Sequence, residues 1–234
     1  MPVFWLTKDH VFPHPELAND EGILAIGGDL HPDRLVLAYE KGIFPWYSPG
    51  EPIIWWSPDP RFVLFPEKVK VSKSMRQILR KGRFQVTVNK SFKEVMIQCQ
   101  QKRRKGQSGT WITEEMITAY EALHTRGIAH SVEVWDEGKL VGGLYGLAMG
   151  KCFFGESMFS HKSNASKAGF LTMVKLLEKQ GFYIIDCQVH THHLESLGAG
   201  MISRKEFQTI IANHTTPPLH WQEWTDLEKF PVQF

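Results

Sequence analysis

Residues His130–Gly155 read HSVEVWDEGKLVGGLYGLAMGKCFFG, and this stretch decides the fold. His130 to Trp135 is a strand candidate, Asp136-Glu-Gly-Lys139 is a turn, and Leu140 to Met149 and Cys152 to Gly155 follow as two more strand candidates. Working outward, Phe84 to Val88 carries a β pattern. Ser91-Phe-Lys-Glu94 is a capping box that opens a helix through Gln101, and Thr113 caps a second helix that runs to Arg126 and stops at Gly127. Downstream, Ser166 opens a helix closed by Gly181, Tyr183 to Val189 is a strand, and Ser203-Arg-Lys-Glu206 is a second capping box before a late helix.

The segment ahead of this series has a different texture. Gly27-Gly-Asp-Leu30 leads into a helix opened by Pro32 and stopped by Gly42, carrying Leu35, Val36 and Tyr39. A run of aromatics and prolines from Gly42 to Arg61 then holds Trp46, Tyr47, Trp55 and Trp56 on stiff backbone, where little ring freedom remains to be lost on binding. A boundary is expected near residue 62, giving a small Trp/Pro-rich α/β domain over 1–62 and an α+β domain over 63–234 with a mixed central sheet flanked by helices.

Composition excludes several classes. The chain has 234 residues, a formal charge of +2, no run of apolar residues long enough to span a bilayer and no signal-peptide pattern, so a cytoplasmic location is expected. Cys99, Cys152 and Cys187 are far apart and set among apolar residues, which reads as buried thiols. Net charge is too small to identify a nucleic-acid partner, but its distribution is suggestive. Lys73, Arg76, Arg80 and Arg83 recur at helical spacing opposite Met75, Ile78 and Leu79, and Lys102-Arg-Arg-Lys105 forms a second basic cluster.

The order β-α-α-β-β-β-α-β-α resembles that of the N-acetyltransferases. Enzymes of that fold that use acetyl-coenzyme A hold its pyrophosphate on a Gly-rich turn, whereas the matching connection here, Glu156-Ser-Met-Phe-Ser-His-Lys-Ser-Asn-Ala-Ser166, has no glycine. A different activated acyl donor is expected. In the strand after it, alternation puts Asp186 and Gln188 on one face and Ile185 and Cys187 on the other, and a carboxylate in an apolar strand is costly unless partnered or functional. The histidines 190, 192 and 193 read poorly as a metal site, since neighbouring side chains diverge and no carboxylate recurs at ligand spacing. No nucleophile elbow exists, so direct attack of one bound substrate on another is the expected chemistry.

Six separated motifs then stand together: Gly27-Gly-Asp-Leu30, Gly42-Ile-Phe-Pro-Trp46, Trp55-Trp-Ser-Pro-Asp-Pro-Arg61, Gly109-Thr-Trp-Ile-Thr113, Gly155-Glu-Ser-Met-Phe-Ser160 and Ile185-Asp-Cys-Gln188. In this order they resemble the leucyl/phenylalanyl-tRNA–protein transferases. The resemblance implies an aminoacyltransferase that moves Leu or Phe, and less efficiently Met, from aminoacyl-tRNA onto proteins with N-terminal Arg or Lys, marking them for N-end rule degradation. It implies Asp186 and Gln188 as the catalytic pair, and Trp46 and Trp111 beside the terminal adenosine of the tRNA. The aminoacyl pocket is implied to be drawn from Leu144, Phe153, Met158, Phe170 and Ile185. Glu156 and Asp186 are expected to meet the acceptor, and Lys73, Arg76, Arg80 and Arg83 the tRNA backbone. Neither cofactor nor metal is expected, and a monomer is. Phe170, Met173 and Leu177, and the segment His190-Thr-His-His193, depart from the versions expected in the best-known members. A binding module that has lost catalysis is the reading from another class, and a coenzyme A-dependent acetyltransferase is a third.

Overall fold

The computed structural model describes residues 3–102 and 110–215. The N-terminal segment supplies β1 (Phe4–Leu6), β2 (Ile23–Gly27), helix α1 (Pro32–Glu40), β3 (Phe44–Pro45) and β4 (Ile54–Trp56), whose strands form one sheet in the order β1-β2-β4-β3. Pro32 presets φ at the first turn of α1, and His31 caps that turn by accepting from the Asp33 amide at 3.3 Å. The helix is followed by Gly42 at φ +66°, a conformation side chains avoid. A Cβ there would also stand 2.8 Å from Phe207.

The larger sheet begins at once with β5 (Arg61–Leu64). It continues with helix α2 (Lys73–Arg80), β6 (Gln85–Val88), helices α3 (Phe92–Gln101) and α4 (Glu114–Thr125), then β7 (Ala129–Asp136), β8 (Lys139–Met149) and β9 (Cys152–Ser160). Helix α5 (Ala165–Lys179), β10 (Ile184–Gln188), α6 (His192–Ser196), β11 (Gly200–Ile202) and α7 (Arg204–His214) complete it. Strand order is β11-β5-β10-β9-β8-β7-β6. The β9–β10 pairing is parallel and the other pairings in this sheet are antiparallel, so the chain is α+β with a mixed central sheet flanked by helices. The expected order of elements is present from β6 onward, with β5, α6 and β11 as additions too short for a periodicity to announce them.

One apolar cluster joins Leu35, Tyr39 and Trp55 of the N-terminal segment to Val95, Met116, Tyr145 and Phe207 of the remainder. A second, under α5, gathers Phe170, Leu171, Val174 and Leu177 with Leu144, Phe153 and Ile185. No helix among the described residues is long and apolar enough to cross a membrane.

Four local expectations are corrected. Ser91 does not cap α3 through its side chain; its amide instead donates to the buried Glu133 carboxylate at 3.3 Å. Helix α5 starts one residue before Ser166, after Asn164 in the left-handed conformation at φ +70°. Strand β9 runs to Ser160 rather than ending at Gly155, because its pairing with β8 extends to Gly142↔Ser160. Finally, α2 ends at Arg80, so Arg83 lies beyond the helix, with its guanidinium 3.5 Å from Asp136.

Candidate active site

Two bulges and one fork in the sheet build the site. Strands β9 and β10 pair only over Cys152–Phe154 and Ile184–Asp186, and the parallel pairing stops there. In the β8–β9 ladder the register shifts between Tyr145↔Ser157 and Gly146↔Gly155, leaving Glu156 as the extra residue. In the β5–β10 ladder it shifts between Asp186↔Val63 and Gln188↔Phe62, and Gln188 sits at φ +62°. Such bulges and left-handed non-glycine residues re-aim side chains and cluster at functional positions. Here they bring Gln188 Nε2 to 2.7 Å from Glu156 Oε1. The simple alternation expected for Ile185 to Gln188 is thereby broken, and Ile185, Asp186, Cys187 and Gln188 all reach one cavity.

Asp186 is buried and its two oxygens accept from Arg61, at 2.8 Å from Nε and 2.6 Å from Nη2. Oδ1 also accepts the Gln188 amide at 2.9 Å, so the bidentate pair fixes the bulge as well as the charge. The Arg61 guanidinium lies between the rings of Phe44 and Phe207, 4.7 and 4.6 Å from their centroids. Arg61 ends the motif Trp55-Trp-Ser-Pro-Asp-Pro-Arg61, whose sequence does not name its partner. An arginine entering the apolar run Phe62-Val-Leu64 needs a buried anion, and Asp186 in an equally apolar strand was the other half of that signal.

Glu156 stands at the centre of a second network. Tyr39 of α1 donates to its Oε1 at 2.7 Å, Tyr120 of α4 donates to Oε2 at 3.3 Å, and the two hydroxyls lie 2.5 Å apart. Burial pushes the Glu156 carboxyl up to about 7, against the lowering effect of the bonds from Tyr39 and Gln188, while the charge of Asp186 raises it further. Burial, and then the charge of Glu156, drive both tyrosines well above their ordinary value, so they remain donors. Tyr39 reads in the sequence as a core position of α1, which hides its hydroxyl's role.

A cavity of about 470 Å³ opens beside these groups. The five residues expected for the aminoacyl pocket, Leu144, Phe153, Met158, Phe170 and Ile185, all line it, together with Met173 and Leu194. So do Trp46, Trp111, Glu156, Asp186 and Gln188. Trp46 is half-buried and held from behind: its amide donates to Ile54, its carbonyl accepts Trp56 Nε1 at 2.7 Å, and the two indoles are 5.6 Å apart. Trp55 is fully buried, with Nε1 donating to the Gly27 carbonyl at 2.9 Å. Trp111 precedes α4, whose first turn is capped by Thr113 accepting from the Met116 amide.

The histidine segment departs from expectation. His190 Nε2 and His192 Nδ1 both lie on Glu195 Oε2, at 3.1 and 3.4 Å, so a carboxylate does sit between them, while His193 turns into the cavity. Lys73, Arg76, Arg80 and Arg83 are exposed and none of them lines the cavity. Of the second basic cluster only Lys102 lies within the described residues, and it reaches the cavity wall.

The family described as leucyl/phenylalanyl-tRNA protein transferase matches residues 63–212, and its N-terminal domain matches residues 28–59. A leucyl/phenylalanyl-tRNA–protein transferase from Flavobacterium johnsoniae is 57% identical over 209 residues, covering 89% of this chain and 99% of that one. One from Syntrophobacter fumaroxidans is 52% identical over 224 residues, covering 96% of each. Among solved structures, a GCN5-related N-acetyltransferase-like protein from Streptococcus suis is similar at 13% identity and a TM-score of 0.36, over 73% of this chain and 64% of that one.

Proposed function

The chain belongs to the leucyl/phenylalanyl-tRNA–protein transferase family and is an aminoacyl-tRNA–protein transferase; on that premise we propose that it transfers Leu, Phe and, less efficiently, Met to the α-amine of proteins beginning with Arg or Lys, marking them for N-end rule degradation. One observation carries this reading: a single cavity presents an apolar wall, two half-buried indoles and the Glu156–Gln188 pair. An aminoacyl ester needs all three surfaces at once. Leu144, Phe153, Phe170 and Ile185 favour an apolar side chain, and Met158 and Met173 adapt to its shape. Trp46 and Trp111 offer ring faces to the terminal adenine.

The ester is already activated, so the protein's part is alignment and the disposal of one proton. In this reading the neutral α-amine attacks the ester carbonyl with Gln188 orienting it, and Glu156 takes the proton released as the C–N bond forms. The ester C–O bond then breaks, and the departing ribose oxygen of the tRNA takes that proton back to leave as a hydroxyl. Asp186, both of whose oxygens accept from Arg61, acts by holding the Gln188 backbone in its bulge. Attraction of the basic acceptor residue then falls to Glu156. Exposed Lys73, Arg76, Arg80 and Arg83 would follow the tRNA backbone, with Arg83 leaving Asp136 to do so. The enzyme works in the cytoplasm as a monomer.

The test mixes leucyl-tRNA with an Arg-started peptide. Ribonuclease-sensitive transfer of leucine supports the reading, and no transfer from intact leucyl-tRNA refutes it. Trp46→Ala should lower kcat/KM for leucyl-tRNA by roughly 5- to 150-fold, the worth of one stacked base, and leave KM for the peptide unchanged. A change below about twofold would remove Trp46 from the adenosine site.

A further inference from the structure

The turn after β10 carries three donor groups that the transfer chemistry does not use. His190 stands two residues beyond the end of β10, and His192 and Glu195 lie one helical turn apart on α6. His190 Nε2 is 3.1 Å and His192 Nδ1 3.4 Å from the same oxygen of Glu195, and a donor atom from each of the three residues lies within 4.8 Å of the other two. Zinc bonds of about 2.0 to 2.2 Å at tetrahedral angles set donors about 3.3 to 3.6 Å apart, so the two separations to Glu195 already match that spacing to about 0.2 Å. The imidazole rings of His190 and His192 stand 88° apart with centroids 5.2 Å from each other. His190 is held edge-on against buried Phe62 at 5.1 Å, and Thr191 caps α6 by accepting the Leu194 amide, so ring and backbone are fixed in advance. His192 is 95% exposed and free to swing the remaining distance.

We propose that His190, His192 and Glu195 form a binding site for one divalent transition ion, with zinc as the ion that fits and the remaining coordination position open to water. Two imidazoles and one carboxylate suit zinc and its neighbours, whereas magnesium and calcium take oxygen donors. The other such group among the described residues, His10, His31 and Asp33, is already committed. His31 Nδ1 accepts the Asp33 amide at 3.3 Å to cap α1, and Asp33 accepts from Arg126 at 2.6 Å. At Glu195 only exposed hydrogen bonds have to be given up, and each imidazole keeps its other nitrogen for its proton. An ion there ties the end of β10 to the first turn of α6. Thr191, His193 and Leu194 of that turn line the cavity and the three ligands do not, so the ion braces the cavity wall without occupying the space inside it.

Titration of the full chain with Co²⁺ in excess Mg²⁺ tests the site, because Co²⁺ held by these donors shows ligand-field absorption in the visible and Mg²⁺ takes no imidazole. One Co²⁺ per chain should bind and be displaced by one equivalent of Zn²⁺, which the same donors hold more tightly. His190→Ala, His192→Ala and Glu195→Ala should each weaken Zn²⁺ binding more than tenfold, since even the loss of a group that only orients a ligand costs about that much. His31→Ala should leave Zn²⁺ binding unchanged. The three ligands are exposed, so without metal each variant should melt within about 2 °C of the parent. Zn²⁺ at about a hundred times its Kd should raise the melting midpoint of the parent by roughly 5 to 10 °C and leave the variants where they are. Equal Zn²⁺ affinity in the parent and the three variants, no visible absorption with Co²⁺, or competition by Mg²⁺ would overturn the proposal. None of these readouts uses the transfer reaction, so the site stands or falls separately from the function proposed above.

Discussion

Arg61→Ala should destabilise the protein by about 3 to 5 kcal/mol, the cost of leaving one member of a buried ion pair alone. For a chain of this size that lowers the midpoint of thermal unfolding by roughly 6 to 20 °C. The reason lies in burial: Arg61 and Asp186 are each 1% exposed, and the guanidinium fills the gap between Phe44 and Phe207. Truncation removes both the countercharge and the packing between those rings. The paired variant separates these effects from catalysis. Arg61→Met with Asp186→Leu replaces the pair by apolar groups, and such replacements are often neutral or stabilising. Most of the lost stability should therefore return. Activity should not, because the Gln188 amide loses the carboxylate that holds its bulge. Scanning calorimetry and the leucyl-transfer assay on both variants decide the matter. A single variant melting within about 2 °C of the parent, or a double variant with full activity, would refute this account.

How far the sequence discloses this site depends on the range of the interaction that builds each part. Helix starts with a local cause, such as Pro32, Thr113 and Ser203, are legible because cap and capped amide lie within three residues. The apolar wall is legible through the family resemblance, and Leu144, Phe153, Met158, Phe170 and Ile185 do come together. What stays hidden comes from sequence-distant partners. Tyr39 meets Tyr120 and Glu156 across 81 and 117 residues, and Arg61 meets Asp186 across 125, so no window of the chain contains both ends. The bulges at Glu156 and Cys187 are hidden for another reason. Period-two reading assumes an unbroken pleat, and one inserted residue reverses every face that follows. A local motif can likewise be present without forming. Ser91 and Glu94 have capping-box spacing, yet the Ser91 amide donates to Glu133, a residue from β7.

Glu156→Gln should lower kcat for leucyl transfer by roughly a hundredfold to ten-thousandfold, the range attributed to a positioned general base. The pH profile tests the assignment more sharply. Attack needs the acceptor amine neutral, with a pKa of about 7.7 to 8.0, and proton removal needs Glu156 ionised. With Glu156 held at about 7 by its burial, both groups lose protons as pH rises, so log(kcat/KM) should climb with a slope of two below pH 7. In Glu156→Gln only the amine limb remains and the slope falls to one. Glutamine keeps the shape and can accept from Tyr39, so a loss of this size is not a packing effect. Tyr39→Phe supplies the sign of the remaining term. The Tyr39 hydroxyl favours the charged carboxylate, so its removal should carry the Glu156 inflection to higher pH and leave that of the amine in place. A steady-state pH series on the wild type and the two variants reads all three expectations. An unchanged slope in Glu156→Gln would take the proton away from Glu156 and return it to the substrate or the solvent.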